Sequence, residues 1–383
     1  MSFPTPSASA IEYSEHLLQQ IKKQFAPQYS ISFEEWMKQA LYHPYGGYYT
    51  GSLDKLSGDN TTQTLRGDFT TAPELSPWYG RTLAQQIEQI LQASQSIQIL
   101  EFGAGSGRLA LSILEQLNRP DIHYFILELS GDLKQRQQET LSAFAHQITW
   151  LDSLPSEFTG CMLANEVLDA MPVKLVQWNE QEQLEELFVS WEHSEPHYEA
   201  HLATPELQAL MQNRMPIFKG YRTEVNLQAE AWIKSLAQSL TRGGILLIDY
   251  GFPRHEYYHP QRHQGTLICH FQHHAHDNPL IYPGLQDITA HVDFTAIADA
   301  ALEGGLEVLG YTSQARFLMN CGLLNLLKQL DPNDVQDYAR QIGPVQKLLS
   351  EAEMGELFKV MLLGKELDID PLGFLSGDRR HLL

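Results

Sequence analysis

The sequence predicts an α/β fold: a mostly parallel, doubly wound sheet with helices on both faces, preceded by a helical segment and interrupted by two insertions. Three observations carry that expectation. From Ile97 onward, apolar runs of strand length alternate with amphipathic stretches of helix length, the pattern of βαβ units. A glycine-rich turn, Gly103 to Gly107, joins the first such strand to the first such helix. Carboxylates at Glu101, Glu128 and Asp152 stand at or just beyond the ends of three successive runs, on the sheet edge where folds of this class bind ligands.

Residues 1–95 read as the helical segment. Ile11–Phe25, Phe33–Leu41 and Tyr79–Leu91 carry helical periodicity, the last after the break at Pro77. The stretch from Tyr42 to Pro77 between them has the Gly, Asp, Ser and Thr content of a long loop, and loops of that length inside a domain are usually functional or disordered. The core is assigned to 96–173, 223–310 and 356–365. Strands are expected at Ile97–Phe102, His123–Leu127, Ile148–Leu151, Gly160–Ala164, Ile245–Asp249 and Leu357–Lys365, with helices at Gly107–Leu117 and Asp132–Phe144. The insertion 174–222 holds the alternating KLVQWNE and LEELFVSWE and the helical TPELQALMQ, an antiparallel excursion. The insertion 311–355 is Leu-rich and helical.

Composition narrows the function classes. Asp plus Glu outnumber Lys plus Arg by 47 to 26, a formal charge of −21 in 383 residues. So negative a surface repels a phosphate backbone and favours a basic protein segment or a cationic small molecule. Three cysteines, Cys161, Cys269 and Cys321, are too few and too scattered for a disulfide framework. The opening MSFPTPSASA has neither a basic-then-apolar leader nor the arginines of a transit peptide. No apolar run reaches the roughly 18 residues of a spanning helix. The expectation is a cytoplasmic protein without membrane insertion.

The glycine spacing is G-x-G-x-G, distinct from the dinucleotide G-x-G-x-x-G, from a P-loop and from a nucleophile elbow. Glycines there let a backbone turn tightly and let a ligand approach the helix N-terminus. Glu101 just before the loop would repel a pyrophosphate but favour a cationic group. Glu128, 21 residues after Gly107, is placed to accept ribose hydroxyls, and Asp152 marks the third corner of the crevice. One ligand with a ribose, an adenine and a sulfonium meets all three: S-adenosylmethionine.

In CMLANEVLDAMPV the fourth strand stops at Asn165 and Glu166, on the ligand side. In methyl transfer the acceptor attacks in line with the departing sulfur, so positioning supplies much of the rate. A carboxylate holds the protons of an amine or guanidinium acceptor and orients its lone pair. Glu166 is the candidate for that role, with Asp169 one turn along as a helper. Asn165 either braces the methionine amino group or the acceptor, or caps a helix beginning at Glu166.

The motifs GDFTTAPELS, LEFGAGSGRL, NEVLDAMPV, RTEVN, IDYGFP and GLQDITAHVDF occur in that order. Together they resemble the MidA family, from about Phe33 to the C-terminal GFLSGDRRHLL. The resemblance implies a class I methyltransferase fold with S-adenosylmethionine as cofactor. From the family's mitochondrial members, which assist assembly of respiratory complex I, it implies symmetric dimethylation of an arginine in a complex I core subunit. Motif by motif, it supports Gly103, Gly105, Gly107 and Glu128 as cofactor contacts. It also implies that Gly67 to Glu74 folds over the cofactor, with Thr71, Pro73 and Glu74 the foremost contacts. Val167 stands where related sequences often carry a larger apolar residue.

Other features leave alternatives open. Glu224, in RTEVN, is read as a carboxylate facing the substrate, and Asn226 as the cap of the helix that follows. Tyr250 ends the fifth strand and either shapes an acceptor pocket or packs. His270, His273, His274 and His276 beside Cys269 invite a metal, but H-x-x-H-H-x-H has neither helical nor zinc-knuckle register, and no metal is expected. Other nitrogens or a carboxyl remain as acceptors, as does a cofactor-binding assembly factor without turnover. A nicotinamide-dependent dehydrogenase is disfavoured by Glu101 and the glycine spacing.

Overall fold

The computed structural model describes residues 4–51, 71–191 and 195–383. The chain divides into two compact units. One draws on Met1–Phe69, Asp169–Ala229 and Arg254–Asp293, and the other on Thr70–Leu168, Glu230–Pro253 and Phe294–Leu383.

The second unit is built on one sheet. Its strands, numbered within this sheet, are β1 (Gln98–Phe102), β2 (His123–Leu127), β3 (Ile148–Leu151), β4 (Phe158–Asn165), β5 (Leu240–Phe252), β6 (Glu307–Ser313) and β7 (Phe358–Lys365). They lie in the order β3-β2-β1-β4-β5-β7-β6. The first five are parallel to their neighbours, while β7 runs antiparallel to both β5 and β6. The order reverses between β1 and β4, so the loops leaving these two adjacent strands diverge and open a crevice at their carboxyl ends.

The near-continuous apolar runs follow from burial on both faces. Ile99, Leu163, Leu246, Ile248 and Leu362 share one core with Leu83 and Ile87 of helix Pro77–Ser94 and Ile113 of helix Arg108–Leu117. Their neighbours Leu100, Met162, Leu247 and Met361, which point the other way by the two-residue period, are buried as well. Each such side chain contributes roughly 1.5–3 kcal/mol relative to exposure. The Pro77–Ser94 helix begins with proline in its first turn and the Ser76 hydroxyl accepting from the Trp78 N–H, and ends at Gln95 in the left-handed region.

Several elements differ from the sequence expectation, among them two strands of the sheet. β5 begins at Leu240, well before Ile245. β6 was not anticipated: residues 311–313, read as the start of a helical stretch, complete an edge strand. A register shift between Val308 and Gly310 breaks its alternation, so no period of two shows in the sequence.

The first unit is antiparallel. Ser30–Ser32, Leu184–Ser190, Lys174–Trp178 and Arg222–Val225 form a sheet in that order, with His197–Leu202 also paired to Leu184–Ser190. Helix Phe33–Tyr42 supplies Phe33, Trp36, Met37 and Leu41 to a core shared with Leu175, Leu187, Val189, Cys269 and Ile288. The last two lie on a second sheet, His274–His276, Ile268–Phe271 and Asp287–Thr289. The histidine-rich run is thus a hairpin. Its turn residues Gln272 and His273 both have positive φ, 47° and 64°, as a two-residue type I′ turn requires. Among the described residues no cluster of three or more His, Cys, Asp or Glu is placed to hold a metal ion, and no helix is long and apolar enough to cross a membrane.

Candidate active site

The turn after β1 sits at the reversal of strand order. Gly103 and Gly105 take φ of 62° and 52°, a region that side chains beyond glycine adopt at a cost. The Gly103 N–H donates to the Leu127 carbonyl (3.1 Å), which ties the loop to the end of β2. Among the described residues no atom lies within 4 Å of a Cβ placed at Gly105, so they leave the bare backbone there open to close approach.

The expected carboxylates divide. Glu128, just beyond β2, accepts from the Ser130 N–H (3.0 Å) and from Gln137 Nε2 (2.9 Å). The same Gln137 nitrogen donates to the Gly105 carbonyl (3.0 Å), and Gln137 Oε1 accepts from Trp150 Nε1 (2.9 Å). Gln137 is fully buried and locks carboxylate and glycine loop together; sequence reasoning missed it. A fully buried glutamine on an otherwise polar helix, Gly131–Thr140, is visible only once the fold is known. Burial raises the Glu128 pKa against the pull of these hydrogen bonds. Glu101 is buried and accepts from the Tyr124 hydroxyl (2.8 Å). Burial pushes its pKa up to about 7, with Glu128 adding to the rise and the Tyr124 bond opposing it, so Glu101 is not the open carboxylate beside a cation that its position promised. Asp152 is the converse: its side chain is 98% exposed, 3.8 Å from Lys134 Nζ, because β3 ends at the sheet edge.

Of the segment expected to fold over the cofactor, Gly67 to Thr70 lie outside the described residues. Thr71 precedes a short helix, Ala72–Leu75, with Pro73 in its first turn. Glu74 accepts from the Ser106 hydroxyl and pairs with Arg108 Nε at 3.1 Å. These contacts clasp the 72–75 turn to the glycine loop. Arg108, the first residue of the following helix, was not singled out in the sequence.

Across the reversal, β4 ends at Asn165 and no helix follows, so Asn165 is not the helix cap considered above. Asn165 Oδ1 accepts from the Tyr79 hydroxyl (2.6 Å), and Nδ2 donates to Glu166 Oε1 (3.1 Å). Glu166 has φ of 55°, an uncommon state for a residue with a side chain, which persists only where its surroundings enforce it. The enforcement is visible. The Glu166 N–H donates to the Ile248 carbonyl (2.9 Å), and the Leu168 N–H donates to Asp249 Oδ2 (2.9 Å). Both acceptors belong to β5, and Asp249 is itself buried. Tyr250, the next residue, packs edge-on against Phe358 at 5.4 Å and is buried.

Asp169 and Glu224 belong to the other unit. The Asp169 carbonyl accepts from the Ala290 N–H (3.0 Å). Glu224 is 1% exposed and accepts from the Thr266 N–H (2.9 Å), the Thr266 hydroxyl (2.9 Å) and the Leu267 N–H (3.1 Å). A Cβ at Gly265, where φ is 82°, would lie 2.1 Å from Glu224 Oε1. The carboxylate is the keystone of the 265–267 turn rather than a group turned to a substrate. Asn226 caps the following helix as read, its Oδ1 accepting from the Ala229 N–H (2.9 Å).

The loop fits a nucleoside cofactor on two grounds: a side-chain-free backbone apex, and a carboxylate one residue past β2 fixed to that apex through Gln137. A family model described as "Putative S-adenosyl-L-methionine-dependent methyltransferase" matches residues 80–312. The protein arginine methyltransferase NDUFAF7, mitochondrial, of Danio rerio is 28% identical, over 92% of this chain and 88% of its own. The Homo sapiens protein of that name is 29% identical over 87% and 80%. A crystal structure of a Burkholderia thailandensis protein bound to S-adenosyl-homocysteine is 42% identical, covers 100% of both chains and superposes with a TM-score of 0.91. A native crystal structure from the same organism gives 42%, 100% of each and 0.90. The relatives named here as mitochondrial overturn the expectation of a cytoplasmic protein drawn from the opening residues.

Proposed function

The chain belongs to the family of S-adenosyl-L-methionine-dependent methyltransferases, and from that premise we propose that it methylates the guanidinium of an arginine on a protein. It is an enzyme of the class I methyltransferase fold, and S-adenosylmethionine is its cofactor. The arginine acceptor is supported by the names of its relatives and by the chemistry at the end of β4. We place the finer target, a core subunit of respiratory complex I, in the same proposal on the strength of the family resemblance.

The observation that carries the reading is the Glu166 carboxylate, held in a left-handed backbone and hydrogen-bonded by Asn165. When bound, the cofactor supplies an electrophilic methyl group. Gly103, Gly105 and Glu128 are the residues that would hold it, with Glu74 fastening the 72–75 turn to the loop. Glu166 accepts hydrogen bonds from the guanidinium N–H groups, balances the cation's charge and fixes which nitrogen presents its lone pair. Hydrogen-bonded by Asn165 at 3.1 Å, the carboxylate needs little reorganisation as it takes up the proton that the acceptor nitrogen releases.

Glu166→Gln keeps size and shape but removes the charge. Affinity for S-adenosylhomocysteine by calorimetry is expected to stay within about tenfold, or ~1.4 kcal/mol, while methylation of arginine peptides falls by about a hundredfold or more. Undiminished transfer removes Glu166 from the chemistry. Mass spectrometry of arginines in host complex I subunits, with and without the gene, tests the target.

A further inference from the structure

The Pro77–Ser94 helix carries a buried tyrosine that nothing above uses. Tyr79 is 1% exposed, and its phenol is aimed at Asn165 Oδ1 over 2.6 Å. The partner atoms leave one arrangement. The Glu166 carboxylate can only accept, so the Asn165 amide must turn its NH2 to Glu166 and its oxygen to Tyr79, whose O–H must then donate. The hydroxyl is an obligate donor here: its pKa lies well above the ordinary value, chiefly through burial and further through Glu166 and Asp249. A donor on the helix, an amide at the strand end and a carboxylate one residue on therefore form a directed chain.

We propose that Tyr79 is a positioning residue for methyl transfer: its hydroxyl fixes the orientation of the Asn165 amide, and that amide holds the Glu166 carboxylate in place. The proposal rests on Glu166 being the carboxylate that receives the acceptor. The backbone contacts to Ile248 and Asp249 set where residue 166 sits. The Asn165 amide reaches the carboxylate itself, at 3.1 Å from Oε1, and an amide turned by 180° would present an oxygen there in place of a donor. Tyr79 supplies the sense of that rotation from an element with no freedom to move, since its ring is buried in the core with Ile87, Leu109 and Ile248. Tight packing on a rigid element is what makes a positioning group effective.

Tyr79→Phe removes one oxygen from a buried ring. Turnover is expected to fall about tenfold, with affinity for S-adenosylhomocysteine and the melting temperature close to wild type. In a Glu166→Gln background the same change is expected to cost almost nothing, because the group it positions is gone. Asn165→Asp keeps the acceptor for Tyr79 but replaces the donor to Glu166 with a repelling oxygen, and is expected to lose at least as much turnover. A crystal structure of Tyr79→Phe with S-adenosylhomocysteine should show the contact between residue 165 and Glu166 opened beyond 3.5 Å. Three results would overturn the proposal: turnover of Tyr79→Phe within twofold of wild type, an equal loss in the Glu166→Gln background, or an unmoved Glu166 carboxylate in that crystal. Failure of the arginine reading shows differently, as a wild-type enzyme inactive on arginine peptides, and the crystal then decides the positioning role alone.

Discussion

Glu101 shows how one buried atom group makes stability depend on pH. Its carboxyl accepts from Tyr124 in a dry setting, with a pKa of about 7 against 4.5 in the unfolded chain. The folded state therefore holds a proton that the unfolded state releases. Its stabilising effect is complete below pH 4.5, is lost as pH rises through 7, and stays lost above. The span of that loss is on the order of 3 kcal/mol. Gln mimics the protonated form and still accepts from Tyr124. Cofactor-free Glu101→Gln is expected to resist urea much better than wild type at pH 8 and only slightly better at pH 5. A constant gap between the two proteins across that range would mean Glu101 does not titrate as its burial implies. Residue types at this scale were legible in the sequence, but their surroundings were not. Glu224 stood out as a carboxylate before a helix, yet its partners Gly265 to Leu267 are about forty positions away, and no local pattern reports such a contact. Gln137 and Tyr79 were invisible for the same reason, since each matters for a group on another element.

At the scale of elements, the sequence spoke most clearly where a strand is buried on both faces. β1 and β4 are such strands, apolar runs ended by glycine or charge, and fall within a few residues of expectation; β2 and β3, only partly buried, were still marked by short apolar runs ahead of Glu128 and Asp152. β6 escaped because an edge strand with a shifted register has no period. The turn after β4 was open to a helical reading because Asn is a cap former and Glu and Asp are favoured in a helix's first turn; bonds to Ile248 and Asp249 hold it as a turn instead. The glycine loop permits a cleaner test than most, because stability and binding separate there. At Gly105 an added methyl meets no atom of the described residues, so the expected cost of Gly105→Ala to folding is the strain of a positive φ, about 1 kcal/mol. The same methyl would stand where the cofactor approaches the backbone, and affinity for S-adenosylhomocysteine is expected to drop by more than about tenfold. Calorimetry and denaturation of one preparation give both numbers. Retained affinity would show that the ligand does not lie against the loop's apex.

At the scale of the whole molecule the controlling quantity is charge. With 47 acidic and 26 basic side chains, the formal net charge is −21, a field that acts on any substrate before contact. An arginine within a basic segment is drawn in by that field, so the encounter is faster at low salt than geometry alone allows. The bound product S-adenosylhomocysteine is a zwitterion with no net charge to steer, and its affinity reports only the site. The two therefore respond differently to ionic strength. Between about 0.05 and 0.3 M salt the screening length falls from roughly 14 to 6 Å. Over that range kcat/KM for a basic arginine peptide is expected to decline several-fold, and the affinity for S-adenosylhomocysteine to change by less than about twofold. Exchanging the flanking lysines of the peptide for glutamates should lower kcat/KM at low salt and abolish its salt dependence. Were the two peptides used equally well at every salt concentration, the acidic surface would have no part in choosing the acceptor, and selection would fall to contacts within the crevice between the ends of β1 and β4.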